Sequence, residues 1–161
     1  MFFYFSWGVS LKRYFLLISA LLLFGCTSEK ISQSNFCNDL VVYVEDSCEV
    51  EGIVVSHAPS GCVYLKGNDR ILDVAYFMNT GRFDELNVLY ESKNVTLENP
   101  GVGDGSFGVR NYETSMGVET NLVVFKSKGR TFALASGAKG MNTCKYSELS
   151  GLGDKIVENL E

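Results

Sequence analysis

Hydrophobic residues recur along the chain in two patterns, and each pattern predicts a different secondary structure. Seven short runs are rich in β-branched and aromatic residues and are bounded by Gly, Pro, Asn or Asp, as is typical of β-strands. The first run also fits a short helix beginning at Asn38, and segment 94–97 is at most an edge strand. The predicted strands lie at 40–44, 52–56, 62–66, 70–77, 106–113, 122–126 and 130–136.

Two pairs of these runs are separated by three residues and predict β-hairpins. Each link contains a glycine, and the first also contains Asn68 and Asp69, residue types that tolerate the positive φ of tight turns. Run 70–77 is apolar on both faces apart from Arg70 and Asp73, so we expect a central strand that is covered on both sides. The predicted turns are Gly67-Asn68-Asp69 and Ser127-Lys128-Gly129.

Two segments carry apolar residues at intervals of three and four, which predicts amphipathic helices. The first spans 81–93, has acidic residues in its first turn, and is expected to cover the second face of 70–77. The second spans about 145–160 and closes the chain. Its Gly151 and Gly153 lower the helix propensity and allow a close approach to the sheet.

The order of these elements, strands, helix, strands and helix, with hairpin connections, predicts the fold class α+β. We expect an antiparallel β-sheet with two or so helices packed on one face, one of them C-terminal, stabilised by disulfide bonds. The composition, with 46% hydrophobic and 20% charged residues, is that of a globular domain and excludes a disordered or collagenous chain.

The N-terminal region carries a targeting signal. An apolar run of eleven residues, 14–24, follows the basic pair Lys12-Arg13. A membrane span needs roughly 17–25 residues, so this length is typical of the hydrophobic region of a signal peptide. The residues before the basic pair are apolar and aromatic, where a signal peptide normally begins with positive charge. We therefore expect translation to begin at Val9 instead of Met1.

The end of this run, Leu23-Phe24-Gly25-Cys26, resembles the lipobox of bacterial lipoproteins. The resemblance implies a signal peptide at 1–25, diacylglyceryl transfer to the Cys26 thiol, and a mature chain that begins at Cys26. Stable anchoring in a membrane requires more than one acyl chain, and this modification provides them. Thr27 stands where an aspartate retains lipoproteins at the inner membrane. The resemblance therefore implies that the protein is anchored to the outer membrane and faces the periplasm. The inner membrane and the cell surface are the alternative locations.

The mature chain is acidic. Residues 26–35 are polar and predict a flexible tether, which leaves 36–161 as a single α+β domain. The formal charge of −5 becomes −7 when Lys12 and Arg13 leave with the signal peptide. Such a chain lacks the basic face that phosphate binding needs, so we expect no nucleic-acid partner. The single histidine, His57, excludes His-rich metal sites, and we predict no metal and no cofactor.

Four cysteines follow the tether: Cys37, Cys48, Cys62 and Cys144. An even number in an exported chain predicts two disulfide bonds, for which three connectivities exist. A zinc site of four thiolates is the alternative, but such sites use CxxC pairs and these spacings contain none. We expect Cys37 to pair with Cys48, and Cys62 with Cys144.

The C-terminal half is also similar to a family. The order of the helix FDELNVLYES, the loop and strand GVGDGSFGVRN, the hairpin NLVVFKSKGRTFALAS and the closing segment CKYSELSGLGDKIVENL resembles that of small exported lipoproteins with a PsbP-like α/β/α fold. The segment before Cys62 is outside the resemblance. The resemblance implies a fold but no function, because most members of this family have no assigned chemistry.

Three features are candidates for chemistry, and each has a simpler explanation. The run 103–108 (GDGSFG) matches G-x-G-x-x-G, but a strand follows it where a dinucleotide site needs a helix, so it predicts a turn. His57 lies beside Ser56 without a G-x-S-x-G elbow and is expected to be a solvated loop residue. Five carboxylates crowd together and predict the soluble surface of an exposed hairpin instead of a glycosidase pair. They are Asp39, Glu45, Asp46, Glu49 and Glu51.

These observations predict a non-catalytic binding or structural module that is held to a membrane by lipid on Cys26 and has an envelope protein as its partner. One alternative is an inhibitor of lysozyme, since acidic residues steer a basic enzyme. Ser60-Gly61-Cys62-Val63-Tyr64 resembles the Ser-Gly-x-x-Tyr loop of one family of such inhibitors. Another alternative is an envelope enzyme of undetermined reaction.

Overall fold

The structure, a computed structural model, describes residues 35–113, 118–137 and 143–159. The predicted signal peptide, Cys26 and all but the last residue of the predicted tether lie outside these residues. From Phe36 onward the chain forms one compact unit. Its strands are β1 (Val54–Ala58), β2 (Gly61–Lys66), β3 (Asp69–Phe77), β4 (Gly105–Glu113), β5 (Glu119–Ser127) and β6 (Arg130–Gly137).

The six strands form one antiparallel sheet in the order β1-β2-β3-β6-β5-β4. The α+β class and the antiparallel sheet predicted from the sequence are confirmed. Both predicted hairpins also form, between β2 and β3 and between β5 and β6. Their turns contain Gly67, Lys128 and Gly129, which have φ values of +62°, +49° and +78°. These residues adopt the left-handed conformation that tight turns need.

In the described part of the chain, the sheet is accompanied by the helices α1 (Val41–Ser47), α2 (Gly81–Glu91) and α3 (Tyr146–Glu158). The predicted C-terminal helix is therefore confirmed. The strand predicted at 40–44 was wrong, and the alternative of a short helix is the one that forms. Residues 35–39 are helical as well. A stripe of residues spaced by three and four is buried here, as in a helix packed on a core. The stripe consists of Cys37, Leu40, Val44 and Cys48.

The helices cover both faces of the sheet, so our expectation of a single covered face was wrong. α1 and α3 belong to the larger core on one face, and α2 packs on the smaller core of the other. Successive side chains of a strand point to opposite faces, so strands that are apolar throughout need cover on both sides. In β5 and β6, Val123, Phe125, Phe132 and Leu134 face α3, whereas Leu122, Val124, Ala133 and Ala135 face α2.

β3 is central, as predicted, but α2 does not cover it. α2 packs on β5 and β6 instead. Among the described residues, no helix therefore lies over the α2 side of β1, β2 and β3, and we call this surface the open face. Val54, at one edge, is 65% exposed. The register places Val54, Ser56, Val63, Asp73 and Ala75 on the open face.

Two disulfide bonds tie the segment around α1 to the rest of the fold, but the pairing differs from our expectation. Cys37 bonds to Cys62, and Cys48 bonds to Cys144. The expected pairs were wrong because the residues between Cys37 and Cys48 are largely helical. Eleven helical residues separate two Cα atoms by roughly 16 Å, whereas bonded cysteines need about 4.4–6.8 Å. The observed Cα distances are 5.7 and 4.7 Å.

α3 approaches the sheet closely at one glycine. A Cβ atom on Gly153 would lie 2.9 Å from a methyl group of Val102 and 3.3 Å from the Phe125 ring. Gly151, two residues earlier, faces open space. Of the two glycines that the sequence singled out, only Gly153 is required by the packing of the helix on the sheet.

Candidate functional site

The five clustered carboxylates lie before, on and after α1, and not in a hairpin. Four of them face a common cavity of about 540 Å³, and Lys66 at the end of β2 is the cation that the described residues contribute to its wall. Asp39 precedes α1 and does not line this cavity. We call the surface the acidic cavity; it is lined by Glu45, Asp46, Glu49, Glu51 and Lys66.

Two of these carboxylates also hold the fold together. Oε1 of Glu45 accepts hydrogen bonds from the backbone N–H of Gly52, at 2.7 Å, and of Ile53, at 3.0 Å. These bonds fix the chain between α1 and β1. The carboxylate of Asp46 pairs with the ammonium of Lys155 on α3. Substitutions at Glu45 or Asp46 would therefore change structure as well as charge.

Glu49 and Glu51 are both exposed and present charge to the solvent. Lys145, close to Glu49, forms an ion pair of 2.9 Å with Glu148. The hydrogen bond to Glu148, together with the charges of Glu148 and Glu49, raises the pKa of Lys145. The acidic cavity thus combines carboxylates that are fixed by the fold with others that are available to a ligand. Such a surface attracts cationic groups.

His57 lies in the edge strand β1, opposite Cys62 of β2. Its side chain is exposed. Because adjacent residues of a strand point to opposite faces, Ser56 faces away from the imidazole. Ser56 and His57 therefore do not form a pair of nucleophile and base. The sequence placed His57 in a loop, whereas the structure places it in a strand.

Residues 103–104 of the glycine-rich run form a turn and β4 begins at Gly105, so a strand and not a helix follows the turn, as predicted. Gly103 has a φ of +62°, and a Cβ atom there would lie 2.5 Å from the carbonyl oxygen of Lys126. A Cβ atom on Gly108 would lie 2.0 Å from the hydroxyl of Tyr146. Oδ2 of Asp104 accepts a hydrogen bond from the backbone N–H of Lys128, which ties the loop to the β5–β6 turn. Packing accounts for this run.

The segment that resembles an inhibitor loop is also explained by packing. Gly61 is buried, and it must be glycine because a Cβ atom there would lie 2.1 Å from the carbonyl oxygen of Val74. Cys62 is bonded to Cys37. Tyr64 is completely buried, and this burial raises the pKa of its hydroxyl. Of the residues that carry the resemblance, only Ser60 is exposed to a partner.

Sequence reasoning missed a second cavity, of about 450 Å³, beside the open face. The ion pair of Arg70 and Asp73, with 2.6 Å between Nε and Oδ1, lies in its wall. Ile71, Leu72 and Ala135 supply apolar groups to the same wall. The signal that could have located it is the pair of charges within the otherwise apolar run 70–77.

The described residues hold no group of three or more His, Cys, Asp or Glu side chains arranged to bind a metal ion. In the same part of the chain, every helix is too short or too polar to cross a bilayer. Comparisons with protein-family models, with curated proteins and with solved structures find no match to this chain.

Proposed function

We propose that this chain is a lipid-anchored protein of the cell envelope, held through Cys26, whose domain binds a protein partner without catalysing a reaction. One observation carries the proposal. The chain has five cysteines, and four of them are bonded to one another in two pairs. Cys26 is therefore left without a disulfide partner in its own chain. A thiol in that state, in the last position of Leu23-Phe24-Gly25-Cys26, is what diacylglyceryl transfer needs.

The two disulfide bonds support an exported location. Structural disulfides form and persist in oxidising compartments such as the periplasm. All four bonded cysteines are buried, the most accessible being Cys48 at 5% exposure. Together with the apolar run 14–24, they favour a domain that faces the periplasm. The outer membrane is the proposed site of the anchor, with the inner membrane and the cell surface as alternatives.

Metabolic labelling tests the anchor. Cells of a Gram-negative host that express the full chain are grown with an alkyne-tagged fatty acid, and the protein is then isolated and probed for the tag. We expect the native chain to be labelled and the Cys26→Ser variant to remain an unlabelled precursor. Ser28→Ala, two residues away, is the matched control and should be labelled normally. If Cys26→Ser matures and fractionates with membranes as the native chain does, the proposal is wrong.

The acidic cavity supports a cationic partner. The mature charge of −7 gives the whole domain a long-range attraction for basic proteins, and the cavity concentrates four carboxylates around one lysine. Glu49 and Glu51 are the members to test because Glu45 and Asp46 also stabilise the fold. We propose a basic envelope protein, or a basic segment of one, as the partner.

Crosslinking in intact cells tests this surface. The double variant Glu49→Gln, Glu51→Gln should lose the partner that the native chain captures. The control removes two carboxylates from the exposed surface of α2, as Glu85→Gln, Glu91→Gln, and should retain it. Equal capture by both variants would show that the acidic cavity is not the binding surface.

Inhibition of lysozyme is the second candidate, and the acidic charge is the observation that favours it. A lytic assay with a c-type lysozyme and the purified domain at micromolar concentration is decisive. Inhibition that disappears in the Glu49→Gln, Glu51→Gln variant would identify the basic partner as lysozyme. Full lytic activity in the presence of the domain would remove this candidate. An envelope enzyme remains the third reading, but Ser56 and His57 would not supply its nucleophile and base.

A further inference from the structure

The sheet has two edge strands, β1 and β4, and the fold protects only one of them. Glu98 forms a β-bridge with Gly108 of β4, with backbone hydrogen bonds of 2.9 and 2.8 Å. Arg110 forms an ion pair of 2.8 Å with Glu98 along the same edge, and a bulge interrupts the pairing of β4 with β5 between Val109 and Tyr112. A covering segment, charged side chains and a bulge are the devices that keep an edge strand from pairing with another chain.

β1 has none of these devices in the part of the chain that the structure describes. Its register with β2 runs from Val54 to Ala58 without a bulge. No Asp, Glu, Lys or Arg lies between Glu51 and Lys66. Within the described ranges, no strand or bridge pairs with the outer side of β1. β1 is therefore an edge to which an extended chain can add as a further strand.

The pairing pattern shows which backbone groups β1 presents at this edge. The N–H of Tyr76 donates to the carbonyl of Ser60 at 2.9 Å, so Ser60 bonds towards β3. In an antiparallel ladder the bonding side alternates from residue to residue. The next residue of β2 therefore bonds towards β1, where it pairs with Ala58. Counting back along β1 in the same alternation, Val55 and His57 turn their N–H and C=O groups away from the sheet.

The side chains of β1 suit a neighbouring strand as well. Val54, on the open face, is 65% exposed, and Ser56 on the same face is exposed and small. Val55, on the opposite face, already packs against the larger core. An added strand would cover the exposed Val54 side chain and would extend the sheet without displacing any described residue.

The acidic cavity lies where β1 begins. The carboxylate of Glu45 accepts hydrogen bonds from the N–H groups of Gly52 and Ile53, which directly precede the strand. Lys66, in the cavity wall, follows the residue of β2 that pairs with Val54. A strand added to β1 in antiparallel orientation would therefore have its C-terminal end beside the cavity.

The charge at this end selects the kind of strand. The cavity has four carboxylates and Lys66 in its wall. Lys155 pairs with Asp46, and Lys145, beside the cavity, pairs with Glu148. With these neighbours counted, five carboxylates stand against three cations, which leaves a charge of −2. Since a second copy of this chain would bring its own negative charge to the edge, the complementary occupant is a basic segment of another protein.

We propose that an extended basic segment of the partner adds to the outer edge of β1 as a seventh, antiparallel strand, and that lysine or arginine at its C-terminal end lies in the acidic cavity. This inference rests on the proposed function, because it specifies how the basic partner binds. The N–H and C=O groups of Val55 and His57 provide four backbone hydrogen bonds to such a strand. These bonds supply affinity for any extended chain, and the cavity supplies the preference for a basic one.

Binding of a synthetic strand tests the proposal. The probe is a peptide of alternating threonine and valine that ends in two lysines, is capped at both termini and carries an uncharged fluorophore. The protein is the full lipidated chain in a nonionic detergent. Fluorescence anisotropy should show saturable binding that becomes about tenfold weaker when glutamates replace the lysines, and weaker also when the lysines stand at the N-terminal end. Absence of saturable binding, or equal affinity for the three peptides, would overturn the proposal.

Two substitutions at one position separate the backbone from the side chain. His57→Pro removes an outward N–H that β2 does not use, and an edge strand tolerates proline on that side. It should weaken binding of the lysine peptide about tenfold, because a hydrogen bond is lost and the ring occupies the space of the added strand. His57→Ala keeps the N–H and should bind as the native chain does. Thermal denaturation checks that both variants fold, and equal binding by the two folded variants would exclude pairing with β1.

The peptide itself allows a test that needs no variant of the protein. Methylating the backbone nitrogen of every second residue removes the N–H groups from one edge of an extended peptide and leaves the other edge intact. Of the two peptides that are methylated at alternate positions, one should bind about tenfold more weakly than the other. Equal affinities would show that charge alone holds the peptide, and the added strand would be refuted.

Crosslinking in intact cells separates failure of this inference from failure of the proposed function. Loss of the partner in both His57→Pro and the Glu49→Gln, Glu51→Gln variant is the expected result. If His57→Pro retains the partner that the glutamine variant loses, the basic partner stands and the added strand is wrong. If the glutamine variant retains the partner, the proposed surface is wrong and this inference falls with it. A native dimer in sedimentation that His57→Pro abolishes would assign the edge to a second copy and refute the basic occupant.

Discussion

The hydroxyl of Tyr64 donates a hydrogen bond of 2.9 Å to the backbone carbonyl of Cys37 in the interior of the domain. Tyr64 belongs to β2, and Cys37 belongs to the helical segment before α1. Cys62, two residues before Tyr64 on the same strand, forms a disulfide bond with Cys37. A covalent bond and a buried hydrogen bond therefore hold this segment at one place on β2.

Removing the hydroxyl should weaken the fold. We expect Tyr64→Phe to lower the free energy of unfolding by about 1 kcal/mol, because the carbonyl of the fully buried Cys37 loses a hydrogen-bond donor. Urea denaturation at pH 7 measures the change. Tyr43→Phe is the control, since its hydroxyl bonds to Asn159 at the surface, and it should change stability by less than about 0.5 kcal/mol. Equal effects of the two substitutions would contradict the assignment.

The same residue should make stability fall in alkaline solution. Burial raises the pKa of Tyr64 above the value of about 10 that it has in an unfolded chain. Above pH 10 the unfolded chain loses this proton while the folded chain keeps it, so the free energy of unfolding decreases as pH rises. Tyr64→Phe should decrease less steeply than the native protein over this range. Parallel curves of unfolding free energy against pH would show that Tyr64 does not contribute.

Two glycines of α3 should respond in opposite directions to the same substitution. Gly151→Ala should raise the free energy of unfolding by about 0.5–1 kcal/mol, because alanine favours the helix and the new methyl group faces open space. Gly153→Ala should lower it, because the methyl group would lie 2.9 Å from the fully buried Val102 side chain. Thermal denaturation of both variants tests the pair. Stabilisation by Gly153→Ala would mean that α3 does not approach the sheet as described.

The two disulfide bonds should contribute different amounts to the free energy of unfolding. They join residues that are 25 and 96 positions apart. In the chain-entropy model, loops of these lengths correspond to stabilisation of about 3.5 and 4.7 kcal/mol. Cys48→Ala, Cys144→Ala should therefore cost more stability than Cys37→Ala, Cys62→Ala in urea denaturation. Peptide mapping of the native protein under non-reducing conditions should recover the pairs Cys37–Cys62 and Cys48–Cys144, and any other pairing would refute this part of the fold.

The acidic residues should separate into structural and surface members. Glu45→Ala should lower the free energy of unfolding by about 1–3 kcal/mol, because it leaves the N–H groups of Gly52 and Ile53 without their acceptor. Glu51→Ala should have little effect on stability, since the side chain is exposed. Chemical denaturation of both variants tests the distinction. If Glu51→Ala were the more destabilising, the choice of Glu49 and Glu51 for binding experiments would have to change.

Local patterns were enough to predict most of the elements. The hairpin from β2 to β3 follows from alternating apolar residues around Gly67, and α3 follows from apolar residues at helical spacing. The disulfide pairing could not be predicted in the same way. The β-branched run 40–44 favours a strand and leaves a helix as the alternative, and a hairpin would bring Cys37 and Cys48 together where a helix separates them. The choice depends on burial against α3, which is a tertiary contact.

The placement of α2 was also beyond local reasoning. The sequence of α2 shows an apolar stripe. Which strands that stripe covers depends on the order of the strands in the sheet, which local patterns do not reveal. The acidic cavity itself was not predicted, because the carboxylates were expected on an exposed hairpin. The crowding of Glu45, Glu49 and Glu51 is visible in the sequence, whereas Lys66 joins them only because the sheet brings the end of β2 to the same place.

The Cys48–Cys144 bond has a mechanical consequence. All six strands and α2 lie between these two cysteines, so they form a closed covalent ring. A pull applied between the two ends of the described chain divides at Cys37. One branch follows α1 to Cys48, and the other crosses the Cys37–Cys62 bond and returns through β1 to Cys48; both reach α3 through the Cys48–Cys144 bond. The chain from β3 to β6 lies outside both branches, so those four strands carry no tension while α1, β1 and α3 bear the load.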